Sequence, residues 1–222
     1  MLAILIPWRA GKEFRRLKAE KKWLVALVIV FTAGLLTLVG NNLIQKKTQV
    51  LANQYIDEMG VLTEQQRDAV EDFQSIAVMV GVVIGIGLIP FFWVAKSAVF
   101  HVLARILKGE ETDLSSAMHV IGYTYLPLIF QGLIDLYKGL TYKIPSYEEY
   151  VREIETSDAL LNFVREHNIF FIWSLILMVI AVRELYSMSN KKAALVVVLP
   201  YVVAWLLLFA FQSVSRQLIG GM

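Results

Sequence analysis

Five long apolar runs alternate with polar segments along the chain. The runs occupy about residues 23–43, 75–96, 114–136, 169–186 and 193–213. A helix needs about 20 apolar residues to cross a hydrocarbon core of about 30 Å, and each run is close to that length. The pattern therefore predicts an all-α fold, a polytopic membrane helix bundle with five transmembrane helices in residues 23–216, preceded by a separate segment at residues 1–22.

Two polar segments between the runs carry signals for the start of a helix. Thr63 and Ser146 each begin a Ser/Thr-x-x-Glu/Gln sequence, in which side chain and backbone cap each other at a helix N-terminus. We therefore predict short ordered helices in these extramembrane loops. Carboxylates gather beside both signals without the pattern of a calcium-binding loop, so we expect a solvated acidic face and no metal site.

Lys and Arg are concentrated in alternate polar segments, and this predicts the orientation of the chain. With the N-terminus in the cytoplasm, the cytoplasmic segments hold 13 Lys/Arg against 6 Asp/Glu, and the outer segments hold 8 against 13. Because Lys and Arg are retained on the cytoplasmic side during insertion, we predict a multi-pass protein of the cell membrane with a cytoplasmic N-terminus. An odd number of spans then places the C-terminus outside.

The residue types that the chain lacks exclude several kinds of site and reaction. The chain has no cysteine and only three histidines, which excludes disulfides, thiolate metal sites and cysteine nucleophiles. It contains no G-x-S-x-G, no H-E-x-x-H and no P-loop. The hydrophobic share of 57% is that of a membrane protein. We therefore expect no enzymatic activity, no cofactor and no nucleic-acid partner.

The third run is the most polar of the five. His119, Tyr123, Pro127, Gln131 and Asp135 recur every four residues and would form one slanted stripe on a continuous helix. Because ionisable groups facing lipid are costly, the stripe should face the bundle interior or an aqueous cleft, and its polar members are the leading binding candidates. The alternative is structural, with His119 and Asp135 at the two membrane interfaces and Gln131 hydrogen-bonded across helices.

The second run continues past the bilayer into a polar helix. Lys96 is predicted to mark the cytoplasmic boundary, and His101 and Arg105 lie on one face beyond it. At the cytoplasmic end of the fourth run, Arg183 and Glu184 are adjacent. A hydrogen-bonded local ion pair between them is one expectation. Because neighbouring residues on a helix do not face each other, the favoured alternative is that each pairs with another element, either the helix that carries His101 or the acidic loop after it. Such pairs would brace the cytoplasmic face.

Small residues and prolines predict how the helices pack. Gly81 and Gly85 form a G-x-x-x-G step that lets two helix backbones approach closely, either within the chain or between two copies in a homo-oligomer. Pro90, Pro127 and Pro200 each lie inside an apolar run. There the missing N–H frees a backbone carbonyl and can kink the helix.

Two stretches of the chain carry a family resemblance. One runs from Phe171-Ile172-Trp173-Ser174-Leu175 through Arg183-Glu184-Leu185-Tyr186-Ser187-Met188-Ser189 to Lys192-Ala193-Ala194. The other is Ile106-Leu107-Lys108-Gly109 followed by Gly122-Tyr123-Thr124-Tyr125-Leu126-Pro127. Together they resemble the Ypt/Rab-interacting (Yip) membrane-protein family over roughly residues 75–210.

The resemblance implies a fold more than a reaction. It implies five spans with the N-terminus inside and, for eukaryotic members, association with Rab GTPases through a long cytoplasmic N-terminal region. This chain has only about 22 residues there and lacks the Asp–Leu–Tyr–Gly–Pro type of motif of those members. It is therefore similar to a prokaryotic-type member of the family.

Two functions stay open from the sequence. In the first, the protein is a non-enzymatic membrane-organising scaffold in the lipid bilayer, whose cytoplasmic basic segments bind an anionic lipid or a cytoplasmic protein partner. In the second, it is a permease or channel subunit for a small solute or ion. The first predicts a packed, dry third span, and the second predicts a water-filled cleft lined by Tyr123 and Gln131.

Overall fold

The computed structural model describes residues 2–20, 22–58, 60, 64–156 and 168–220, and every regular element in these ranges is a helix. A short 3-10 helix at Leu2–Leu5 is followed there by eight α-helices. These are α1 (Pro7–Glu20), α2 (Trp23–Glu58), α3 (Glu64–Ile106), α4 (Leu114–Tyr123), α5 (Leu126–Thr141), α6 (Tyr147–Glu155), α7 (Ile169–Tyr186) and α8 (Asn190–Gly220). The predicted all-α class is confirmed.

Four helices in the described part of the chain are long and apolar enough to cross a membrane. They are α2, the Val80–Ile106 part of α3, α7, and the Asn190–Phe211 part of α8. A fifth crossing exists if the bent pair of α4 and α5 is counted as one span. The protein is therefore a multi-pass membrane protein. The first helix is longer than its predicted span, since α2 continues past residue 43 to Glu58.

The third apolar run is divided into two helices instead of forming one. α4 closes where the backbone N–H and the hydroxyl of Thr124 both donate to the carbonyl of Ile121, at 3.0 and 2.6 Å. α5 then begins with Leu126 and carries Pro127 in its first turn, where a missing N–H breaks no intrahelical bond. The third run is bent by 47° at this break, so a bend is present near Pro127, but the proline lies in the first turn of a new helix and not inside a continuous one.

The described helices form two compact units. The first comprises Met1–Ala26, Val94–Thr124 and Leu175–Met222. Within it, α1 is amphipathic, with buried small and apolar residues at positions 10, 11, 14 and 17. This face packs on the 3-10 helix and on α4. The docking buries the Phe14 ring completely, so α1 belongs to the folded core.

The second unit comprises Leu27–Trp93 and Tyr125–Ser174. In it, α2 and α5 meet backbone to backbone, because a Cβ atom on Gly139 would lie only 2.5 Å from the carbonyl oxygen of Gly40. Lys47 extends from α2 across the end of α5 and donates to the carbonyls of Gly139 and Leu140 at 3.0 and 2.8 Å. A cation is favourable there, since the last carbonyls of a helix carry partial negative charge.

α6, in the same unit, begins with the predicted capping box. The Ser146 hydroxyl accepts the N–H of Glu149 at 3.3 Å, and the Glu149 carboxylate accepts the N–H of Ser146 at 3.1 Å. This short helix after the third run is therefore present as predicted. The other predicted cap, at Thr63, lies outside the described residues.

The two glycines predicted to pack helices have different surroundings. A Cβ atom on Gly85 would lie 3.1 Å from the Leu38 side chain, whereas one on Gly81 would have no described atom within 4 Å. Within the described part of the chain the close approach is therefore made at Gly85 and not at Gly81, and an approach between two copies stays a prediction. Pro90 and Pro200 lie inside α3 and α8, and both helices continue through them.

Candidate functional site

The C-terminal end of α7 is the centre of a polar cluster in the first unit. Arg183 Nε donates to Glu184 Oε1 at 2.9 Å, and Arg15 of α1 reaches Glu184 Oε2 at 3.2 Å. Arg183 and Glu184 thus form the local ion pair, and Glu184 also pairs with a residue of another element. The partner from another element is α1, whereas the helix of His101 and the acidic loop had been predicted.

Gly11 is what allows α1 to approach this ion pair. A Cβ atom there would lie 3.0 Å from Glu184 Oε1 and 3.1 Å from an Arg183 guanidinium nitrogen. A larger side chain would push α1 away from both groups. The glycine therefore sets the distance between α1 and α7.

The last backbone carbonyls of α7 are bound by side chains and backbone from other segments. The Leu185 carbonyl accepts from Lys18 Nζ at 2.7 Å and from the Thr112 hydroxyl at 2.8 Å. The Tyr186 carbonyl accepts the N–H of Glu110 at 2.9 Å. These carbonyls have no partner within their own helix, so the contacts satisfy groups that would otherwise need water.

The side chain of Tyr186 ties the end of α3 to the same cluster. It is fully buried, and its hydroxyl lies 2.9 Å from Nδ1 of His101. Gly109 follows α3 and lies so close that a Cβ atom would be 2.9 Å from Cβ of Tyr186. Lys108, just before it, has φ +59°, the left-handed conformation that ends helices.

The turn after α7 completes the cluster. Ser187, also left-handed with φ +48°, donates its hydroxyl to Glu110 Oε2 at 2.6 Å. Lys192, at the start of α8, donates to the Leu107 carbonyl at 3.0 Å. We call residues 183–187 with their partners from α1 and the 107–112 segment the Arg183 cluster. It joins three separate pieces of chain in one hydrogen-bonded group.

The opposite side of α1 forms a basic surface. Trp8 is 85% exposed, and Arg9 and Lys12 are exposed beside it along the helix. Among the described residues, neither Arg9 nor Lys12 has a carboxylate within ion-pair distance, whereas Arg16 is paired with Glu20 at 3.2 Å. We call Trp8, Arg9 and Lys12 the basic face of α1.

The charge of the whole first unit agrees with this local picture. Its sequence segments hold 14 Lys/Arg against 6 Asp/Glu, whereas those of the second unit hold 7 against 13. The alternation seen along the sequence therefore corresponds to a division between the two compact units. The excess of Lys and Arg therefore gives the first unit a positive electrostatic potential.

The predicted polar stripe does not lie on one helix. His119 and Tyr123 lie in α4, where their rings meet edge to face at 5.1 Å and both are buried. Neither ring nitrogen of His119 has a hydrogen-bond partner among the described residues. Gln131 is half-buried in α5, and Asp135 there accepts a hydrogen bond from Thr37 at 3.3 Å.

The remaining charged candidates have contacts of their own within the first unit. Lys96 Nζ lies 5.4 Å from the centre of the Tyr201 ring, a cation–π distance. Arg105 reaches Glu111 at 3.5 Å in an exposed pair, which contributes little. Within the described ranges, no three His, Asp or Glu side chains converge as metal ligands would.

Four residues of the cluster are not predicted by the sequence pattern: Gly11, Arg15, Lys18 and Gly109. A signal for α1 was present, since its small and apolar residues recur every three or four positions in a basic segment. Its partner on α7 lies about 170 residues further along the chain, and no local pattern connects the two.

Comparison with known proteins gives one family. The Yip1 domain model matches residues 2–211, which includes α1, the Arg183 cluster and all the candidate spans. No curated protein and no solved structure matches the chain.

Proposed function

Because the chain belongs to the Yip1 domain family, we propose that this multi-pass membrane protein is a non-enzymatic, membrane-organising scaffold that binds anionic lipid headgroups through the basic face of α1. The observation that carries the proposal is the exposed group of Trp8, Arg9 and Lys12 on a helix whose other side is fixed in the core. We place this face in the cytoplasmic leaflet of the cell membrane, following the distribution of Lys and Arg.

The composition of the face suits a membrane surface. Helices that lie in the interface expose Lys and Arg, together with an aromatic ring that enters the headgroup layer. A cation close to an anionic membrane contributes about 1 kcal/mol. Arg9 and Lys12 have no ion-pair partner among the described residues, so their charges are available to an external anion.

The Arg183 cluster supports the proposal by holding the face in place. Arg15 and Lys18 are directed to α7, where they bind Glu184 and the Leu185 carbonyl. Two of the basic residues of α1 therefore anchor the helix, and two others are presented outward. A surface that is ordered before binding loses less entropy when a ligand arrives.

The interior of the third run supports a packed protein more than a permease. His119 and Tyr123 are buried against each other, and Thr124 after them is buried as well. Of the two residues that would line an aqueous cleft, Tyr123 is therefore packed, whereas Gln131 is half-buried.

The proposal is tested by the affinity of the purified protein for soluble short-chain lipids in a neutral detergent. Dioctanoyl phosphatidylglycerol should bind more tightly than dioctanoyl phosphatidylcholine. Replacing both cations, as Arg9→Gln with Lys12→Gln, should weaken phosphatidylglycerol binding about thirtyfold, because two contributions of about 1 kcal/mol are lost.

The control is a pair of exposed cations in the second unit, Lys138→Gln with Lys143→Gln. It removes the same formal charge and should leave the affinity within about twofold of the wild-type value. Equal affinity for the two lipids, or an equal loss in the control, would overturn the proposal.

A further inference from the structure

The second unit contains a pocket of about 570 Å³ that the proposed function does not use. Its walls come from α2, α3 and α6. The polar lining is formed mainly by amides, Asn41, Asn42, Gln45 and Gln49, with Tyr150 from α6 and Gly81 from α3. This volume is within the range of sites for small ligands.

The amides of the pocket are free to bind a ligand. None of the four has a side-chain hydrogen bond to another described residue. Each amide offers both donors and acceptors, and so matches a hydroxyl group, which also donates and accepts. The described lining residues include no charged side chain.

The tyrosine of the pocket adds a further donor. Tyr150 is half-buried, and burial raises the pKa of its hydroxyl above the ordinary value of 10. The hydroxyl therefore stays protonated at neutral pH. It can donate to the same kind of ligand oxygen that the amides bind.

The amides of the pocket follow a stretch of α2 that is long enough to cross the hydrocarbon core. From Trp23, an aromatic residue typical of a membrane interface, α2 rises about 27 Å to Asn41, which is close to the thickness of the hydrocarbon core. The amides follow this point, whereas Leu38 and Val82 form the apolar part of the lining. The site is therefore amphiphilic.

We infer that this pocket binds a polyhydroxylated group, such as the sugar headgroup of a glycolipid. The hydroxyl groups are bound by the four amides and Tyr150, and the adjoining chain lies against Leu38 and Val82. The inference is independent of the basic face of α1, which belongs to the other unit and binds anions.

Gly81 provides a way to fill the pocket without disturbing the helix. A Cβ atom at Gly81 or at Gly87 would have no described atom within 4 Å, and both glycines lie in α3. Only Gly81 lines the pocket. Gly81→Leu should therefore occupy the binding space, and Gly87→Leu is the matched control.

The experiment is native mass spectrometry of the full chain in a detergent without a sugar headgroup. The probes are a short-chain monoglucosyl diacylglycerol, phosphatidylcholine of the same chain length, and free glucose. The wild-type protein and Gly87→Leu should retain one glucosyl lipid under activation that removes phosphatidylcholine, and Gly81→Leu should lose it. Retention of glucose as well would identify the sugar as sufficient, and retention of the lipid alone would show that the chains are needed.

A second variant keeps the test decisive if Gly81→Leu folds poorly. Asn42→Leu changes the shape little but removes one amide, and should weaken binding of the glucosyl lipid about fivefold to tenfold. Two results would overturn the inference: equal retention of glucosyl lipid and phosphatidylcholine by the wild-type protein, or unchanged binding in both pocket variants.

Discussion

The contact between α2 and α5 leaves no room for a side chain, and this gives a sharp test of the fold. A Cβ atom on Gly139 would lie 2.5 Å from the carbonyl oxygen of Gly40 and 3.1 Å from its Cα. The opposing atoms belong to the backbone and cannot rotate away. Because an ordinary contact of this kind is about 3.5 Å, Gly139→Ala requires the helices to separate by about 1 Å.

The expected magnitude follows from two opposing effects. Overpacking of this size costs about 1–3 kcal/mol. Alanine is better than glycine inside a helix by about 0.5–1 kcal/mol. Gly139→Ala should therefore lower the free energy of unfolding by about 1–2 kcal/mol. Gly87→Ala, where nothing described lies within 4 Å, should keep only the helical gain and become slightly more stable.

The assay is unfolding of the purified protein by SDS in mixed micelles, followed by far-ultraviolet circular dichroism. Gly139→Ala should unfold at a lower SDS fraction than the wild-type protein, and Gly87→Ala at the same or a higher one. The double variant Gly40→Ala with Gly139→Ala should lose less than the sum of the single losses, since both residues widen the same contact. The reasoning is refuted if Gly139→Ala is as stable as Gly87→Ala.

Three further predictions concern the first unit. Tyr186→Phe removes the hydroxyl that lies 2.9 Å from His101 and should lower the free energy of unfolding by about 1 kcal/mol, measured in the same SDS titration. Lys18→Met removes the donor to the Leu185 carbonyl, so amide hydrogen exchange in α1 should accelerate while exchange in α8 stays unchanged. Trp8→Cys, in a chain without other cysteines, should react with an impermeant thiol reagent only from the cytoplasmic side; labelling from outside would reverse the proposed orientation.

The sequence predicted the helices better than their breaks. Run length and hydropathy suffice for a membrane helix, because the bilayer fixes how many apolar residues are needed. α2 continues to Glu58 because its polar second half can still complete helical hydrogen bonds outside the hydrocarbon core. At Pro127 the sequence allows a kinked helix or a new helix, and the side chain of Thr124, which closes α4, decides between them.

The sequence predicted a close helix contact at Gly85 but not those at Gly132 and Gly139. The G-x-x-x-G step also predicted a close contact at Gly81, but that residue lines a pocket. Gly132 and Gly139 are seven residues apart, which is two helical turns, and both lie against α2. This spacing was visible in the sequence. Its partner Gly40, however, is about 100 residues away, so the pairing needs the tertiary structure.

The Arg183 cluster could be predicted only in part from local sequence patterns. Adjacent residues on a helix point in different directions. The Arg183 side chain is nevertheless long enough to bend back to Glu184. Arg15 and Lys18 belong to a segment whose basic composition was clear from the sequence. Their contacts with α7 depend on Gly11, whose missing side chain brings α1 close to α7.

Lipid binding by the basic face can be measured by hydrogen exchange of α1 in lipid nanodiscs, compared between phosphatidylcholine alone and phosphatidylcholine mixed with phosphatidylglycerol. If the basic face binds anionic headgroups, backbone amides of residues 7–20 should exchange more slowly with the anionic lipid present. The difference should vanish in the variant that combines Arg9→Gln with Lys12→Gln. Equal exchange of α1 in both lipid compositions would show that the basic face does not bind anionic headgroups.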